Sequence, residues 1–284
     1  MLDDIIQNAS TNSNYDVEAY KQKKKEQLQY AYKLIDEACE ELKNNNTQFF
    51  KEYLDIQSRF DKYTIRNALL VAKQLPNAKQ LKDYKSWKES KVSFKSDKQN
   101  KILILEPREA YINNSGKKIT PYNAKEVIDV SETNTKPYIK NYDKKLVLQA
   151  LLHECSIKIE PVNSLEDNKM CNWNKETNTI YTCRTDNYDK AISSLAIEIA
   201  KASLYEETSE ISNEKASYIG YMISKKYNIE CSIDEVPNVF ANKETQDIKD
   251  ELSSMKNVLD DMNNRMGQYL DEKMKDNKNK DMER

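Results

Sequence analysis

Three glycines in 284 residues, Gly116, Gly220 and Gly267, set the tightest limit on what this chain can fold into. Loops that cradle phosphates with backbone N–H groups need several glycines close together, because only glycine lets the chain turn that sharply beside a ligand. Kinase-type, P-loop and dinucleotide-binding architectures are therefore excluded, and nucleotide-dependent chemistry with them. Five cysteines (Cys39, Cys155, Cys171, Cys183, Cys231) are odd in number and form no Cys-x-x-Cys pair. That argues against a zinc ribbon or a disulfide framework. Cys171 and Cys183 are expected to face each other across a hairpin as reduced thiols.

Helical periodicity dominates the remainder. Asp16 to about Asn45 has apolar residues near helical spacing. The stretch from Phe49 to Pro76 continues as one amphipathic helix, with Phe49, Tyr53, Ile56, Phe60 and Val71 on a face that can be buried. Arg59, Lys62, Arg66 and Lys73 are spaced by three, four and seven residues, which puts them within an arc of about 60° on a continuous helix. From Lys51 to Lys101 there are 13 Lys or Arg against 6 Asp or Glu, in a chain whose net charge is −2. So local an excess suits an anionic partner, nucleic acid foremost, for this part of the chain. It is also compatible with a merely solvated face. No exposed Leu/Trp face accompanies the cations, so a membrane surface is not expected.

Asp83 to Trp87 reads as a short helix, Ile102–Glu106 and Glu126–Val130 as strands, and Tyr111-Ile112 as a third ahead of a turn at 113–116. A polar linker, 131–137, precedes a helix from Lys145 to about Glu154. A hairpin pairs Met170–Trp173 with Thr179–Cys183, and helices follow over 189–205 and 212–227. Ile248, Leu252, Met255, Leu259, Met262, Met266 and Tyr269 alternate spacings of four and three. That seam fits either a self-associating coiled coil or a helix folded back on its own chain. The polar stretch from Lys273 should fray. These elements make an α+β protein: a flexible start (1–14), a helical N-terminal domain with a small sheet (15–133), a second α+β domain (141–242), a heptad helix (243–276) and a charged tail (277–284). No apolar run approaches the ~20 residues of a membrane span and the N-terminus lacks a cationic leader, so a cytoplasmic protein is expected.

The succession Arg59-Phe-Asp-Lys-Tyr-Thr-Ile-Arg-Asn-Ala-Leu-Leu, Gln74-Leu-Pro76, Trp87, Ile102-Leu-Ile-Leu-Glu-Pro107 and Val127-Ile-Asp-Val-Ser131 resembles the N-terminal domain of ArdC-like antirestriction proteins, over roughly residues 16–133. The resemblance implies a single-stranded-DNA-binding module of the kind encoded on conjugative elements, and an accessory or antirestriction role. Its glycine- and lysine-rich turn is here Ser93-Phe-Lys-Ser-Asp-Lys-Gln-Asn-Lys101, with lysines but no glycine. Contacts to DNA are expected from Arg59, Lys62, Tyr63, Arg66, Asn67, Lys73, Trp87, Lys95 and Lys98. Lys and Arg would track phosphates, and Tyr63 and Trp87 would stack on bases. For Trp87 the favoured reading is nonetheless a core anchor, and Asn67 is equally readable as an internal cap or cross-link.

The second half resembles the family's zinc-metallopeptidase-like domain. His153-Glu154 imitates the start of a His-Glu-x-x-His helix, but Ile157 stands where the second histidine belongs, and His153 is the chain's only histidine. Registering the hairpin Asn172–Tyr181 on the family instead places Ile197 and Lys201 at the ligand positions, Glu198 at the general base and Ser217 near the third ligand. An isoleucine and an ammonium do not hold Zn²⁺. The expectation is an inactive peptidase scaffold with no cofactor, in which Glu198 pairs with Lys201. A hydrolase using Glu198 with an unconventional metal site is the less favoured alternative, and a scaffold acting through the heptad helix is another.

Overall fold

The structure is a computed structural model describing residues 17–233 and 239–282; the expected flexible start, 1–14, lies outside the described residues. The chain is α+β. Helix α1 (Val17–Lys43) is followed by α2 (Thr47–Arg59) and α3 (Ile65–Gln74). A short strand β1 (Leu81–Lys82) and helix α4 (Tyr84–Glu89) lead to the long strands β2 (Lys101–Pro107) and β5 (Tyr122–Asp129). Between these two strands a hairpin, β3 (Tyr111–Ile112) and β4 (Lys118–Ile119), extends from their end. The sheet order is β1-β5-β2, all antiparallel, with Ile102 opposite Val127.

The second half runs α5 (Lys144–Leu152), β6 (Lys158–Val162), β7 (Cys171–Asn174), β8 (Thr179–Cys183), α6 (Tyr188–Thr208), α7 (Asn213–Lys226) and α8 (Thr245–Met282). Its sheet is β6-β8-β7, with β6 parallel and β7 antiparallel to β8. Strand β6 was not anticipated. It sits at the sheet edge, where Pro161 needs no partner for its missing N–H.

The long amphipathic stretch is two helices, which corrects the expectation of one. The break has a local cause. The Thr64 side chain caps α3 by accepting from the Asn67 N–H, and buried Gln57 donates to the carbonyls of Phe60 and Tyr63. These bonds satisfy backbone groups that a continuous helix would have used internally. Cys171 and Cys183 do not face each other either. Cys171 lies opposite Thr182, so Cys183, one residue on, points to the other face of the sheet.

Among the described residues the main hydrophobic core runs from Ala31 and Ile35 of α1 through Leu54, Leu69 and Leu105 to Leu151, Ile199, Ile219 and α8. Ile248, Leu252, Met255, Leu259, Met262 and Met266 are all buried within this single chain, and Leu270 continues the row. The heptad seam is thus an intramolecular one, and Tyr269 instead leans on His153 with ring centroids 4.7 Å apart. Polar contacts hold α8 along its length: Lys249 to Asp36, Lys215 and Lys243 to Glu251, and Arg265 to the His153 carbonyl. The helix continues to Met282, beyond the expected onset of fraying at Lys273.

Candidate nucleic-acid interface

Dividing the amphipathic stretch scatters its cations. Arg59, at the end of α2, donates to the Ala78 carbonyl, a neutral acceptor, and makes no ion pair among the described residues. Lys62, in the turn, reaches Asn264 of α8 at 3.3 Å. Arg66 lies over the Tyr122 ring, 6.0 Å from its centroid. Lys73 is ion-paired with Glu41, and this bond, the largest of the causes, holds the Glu41 carboxyl below its usual range.

The remaining expected contacts divide between core and surface. Asn67 is buried and bonds both backbone groups of Leu105, its Nδ2 donating to the carbonyl at 2.9 Å and its Oδ1 accepting from the N–H at 2.7 Å. Trp87 is 2% exposed and donates from Nε1 to the Ile128 carbonyl, as the anchor of a small core with Val130. Tyr63 stacks on Phe60 with centroids 5.1 Å apart, and burial raises its pKa. Lys95 donates to the Ser131 carbonyl, and Lys98 is exposed.

A different grouping emerges around Arg59. A groove of about 540 Å³ is bounded by the end of α2 (Ser58, Arg59), Lys79, the connecting segment 137–142, the end of α7 with Tyr227 and Asn228, and Gly267 and Asp271 of α8. Arg59, Lys79, Lys140, Lys225 and Lys226 line it against one carboxylate, Asp271. Asp271 bonds Lys140 at 3.1 Å; Asp55 and Asp61, outside the lining, approach Lys225 at 3.9 Å and Lys226 at 2.8 Å. Burial pushes the Lys226 ammonium pKa down, and Asp61 opposes that. Tyr138 projects at the rim, 80% exposed, beside Ile139. Tyr142 and Tyr227 supply two inner rings, 5.9 Å apart.

Gly267 adds to the groove's character. A Cβ there would meet nothing within 4 Å, so packing does not require the glycine. Glycine inside a helix is nonetheless unfavourable by about 1 kcal/mol relative to alanine. Its backbone therefore lies open to whatever enters. Of the expected contacts only Arg59 lines this groove. Tyr138, Lys140, Lys225 and Tyr227 come from distant segments, and only the fold brings them together.

The peptidase-like register can be tested on the residues present. Glu198 is 8% exposed and accepts from the Trp173 N–H at 2.8 Å and from the Lys201 ammonium at 2.8 and 2.9 Å. Ile197 packs against Gly220 so closely that a Cβ on that glycine would lie 2.4 Å from Ile197 Cγ1. Ser217 Oγ donates to the Asn213 carbonyl. An apolar side chain, an ammonium and a committed hydroxyl do not fit a zinc ion. Among the described residues no group of three or more His, Cys, Asp or Glu side chains could hold a metal. No described helix is long and apolar enough to cross a membrane.

No protein-family model matches the chain, and no curated protein matches it. Among solved structures the chain is similar to the metal-free crystal structure of the antirestriction protein ArdC from the R388 plasmid, at 10% identity and a TM-score of 0.48, over 72% of this chain and 86% of that one. It is also similar to the Mn(II)-bound structure of that protein, at 11% identity and a TM-score of 0.44, over 85% of this chain and 95% of that one.

Proposed function

We propose that this chain is a single-stranded-DNA-binding accessory protein of a conjugative or other mobile element, with antirestriction as its cellular role. The observation that carries the reading is the groove, where Arg59 and Lys79 flank the exposed ring of Tyr138 and the half-buried ring of Tyr142, which packs on the buried Tyr227. Cations tracking phosphates beside sequence-tolerant stacking surfaces are what an extended single strand requires. The motif succession from Arg59 to Ser131 supports the same class of partner. Asn67 and Trp87 serve this reading indirectly, by bracing the elements that present Arg59 and Lys79. In the second half, Glu198 is tied to Lys201 and the Trp173 backbone, which supports a scaffold rather than a hydrolase.

Fluorescence anisotropy with a labelled oligothymidine, over a series of salt concentrations, tests the proposal. The double variant Arg59→Glu/Lys79→Glu is expected to lose at least about tenfold in affinity, and its salt slope to fall by roughly 0.7 for each lost phosphate contact. Unchanged affinity in that variant would remove the groove from the reading.

A further inference from the structure

The hairpin between β2 and β5 serves no visible purpose in the fold. From Glu106 to Lys118 every residue is exposed except Asn113, which is half-buried. Tyr111 and Ile112 are 55% and 73% exposed. On alternate faces of the ribbon, the two leave an apolar side chain exposed on each.

The ribbon is nevertheless well built. Its base is closed by the Arg108 N–H donating to the Pro121 carbonyl at 2.8 Å. At the tip Asn113 Oδ1 accepts from the N–H groups of Ser115 and Lys117 and from the Ser115 hydroxyl, and Gly116 takes the positive φ of +76° that the turn needs. An arm ordered in advance loses little conformational entropy on binding.

Its charge identifies the occupant. Arg108, Lys117 and Lys118 are exposed and have no ion-pair partner among the described residues, against the single carboxylate of Glu109. Ile112 lies opposite Lys118 and Tyr111 opposite Ile119, so each face of the ribbon carries an apolar side chain, with a lysine beside Ile112 on one face and Lys117 on the other. At the base Tyr122, paired with Pro107, holds Arg66 over its ring. The cations thus continue from α3 onto the arm. A second copy of this arm would set these cations against one another. A two-stranded ribbon of this kind matches the width of a duplex major groove, and apolar side chains on such arms wedge against base steps.

We infer that the hairpin 107–121 is an arm that grips duplex DNA adjoining a bound single strand, its lysines on phosphates and Ile112 against the terminal base pair. This rests on the single-strand reading above, so the test separates the two. Anisotropy compares the oligothymidine with a stem-loop carrying the same strand as an overhang. The wild-type chain is expected to prefer the stem-loop by at least about tenfold. Lys117→Glu/Lys118→Glu should abolish that preference while leaving oligothymidine affinity unchanged, and Ile112→Asp should weaken it. All three positions are exposed, and circular dichroism will verify folding. Wild-type binding to the strand without preference for the junction would overturn the arm alone, as would a preference that survives the lysine reversals. Wild-type binding to neither probe would overturn both readings. If Ile112→Asp instead converts a dimer into a monomer in light scattering, the arm is a contact between copies and the inference fails.

Discussion

Asn67 treats Leu105 as a neighbouring strand would, donating to its carbonyl at 2.9 Å and accepting from its N–H at 2.7 Å. One side chain thereby completes the ladder on the open side of β2 and ties α3 to the sheet. Gln74, two turns further along α3, repeats the arrangement on Leu103, accepting from its N–H and donating to its carbonyl at 2.9 Å each. The two amides share one helical face and two residues of like facing on the strand, so the helix is keyed to the strand in a single register.

Asn67→Ala should therefore act on stability and not directly on binding. Two buried backbone groups of Leu105 would lose their partners, at roughly 1–3 kcal/mol each, giving a total of about 2–6 kcal/mol. Urea denaturation measures this. DNA affinity of the folded variant should match that of the wild type, whereas an Asn67 that touched DNA would lose affinity without losing stability.

The Glu198–Lys201 pair gives a second separation. Glu198→Ala strands a largely buried ammonium and the Trp173 N–H, at a cost of about 3 kcal/mol. Glu198→Leu combined with Lys201→Met removes both charges and should recover the part of the loss due to the ammonium, leaving that of the Trp173 N–H. Neither a chelator nor added zinc should move the thermal midpoint of the wild-type chain. A midpoint raised by zinc would contradict the scaffold reading.

Gly267 sets stability against binding. Gly267→Ala should stabilise the chain by about 0.5–1 kcal/mol, since the added methyl group meets open space and improves helix propensity. Gly267→Phe should keep the fold and lower oligothymidine affinity by filling the groove. Thermal melts and anisotropy on the same preparations check both.

The buried heptad row makes a prediction about assembly. Leu259→Ala should destabilise the chain by about 2–5 kcal/mol, as expected for a leucine deleted from a packed core. Its oligomeric state by light scattering should be that of the wild type. A change in subunit number at unchanged stability would mean that the row also serves a contact between copies.

Much of the fold is legible in the sequence because its elements follow strong periods. The 3.6-residue patterns of α1, α6, α7 and α8 and the apolar run of β2 can be read by eye. The interruption after Arg59 is hidden, because Thr64 and Gln57 sit inside a pattern that remains apolar at helical spacing across the turn. Strand β6 is masked by Pro161 and by flanking charges. For the interface the limit is of another kind. Arg59 announces itself by local charge, but its companions Tyr138, Lys225 and Tyr227 lie far away in sequence and carry no local signal. Asn67 and Trp87 have the chemistry of contacts, yet their polar atoms are consumed by the Leu105 and Ile128 backbones.

The burial of α8 also has a consequence for how the protein is made. Residues 248–270 complete a core begun by α1, α2 and α3. A nascent chain that has reached residue 244 therefore still lacks the cover for apolar surface made early in synthesis. Translation proceeds at roughly 5–20 residues per second, so that surface stays incomplete for seconds, a long time on the scale of chain collapse. The chain will consolidate late and as a whole, and ribosome-arrested intermediates ending before α8 should be captured by chaperones and cut readily by proteases, while those extended beyond it resist.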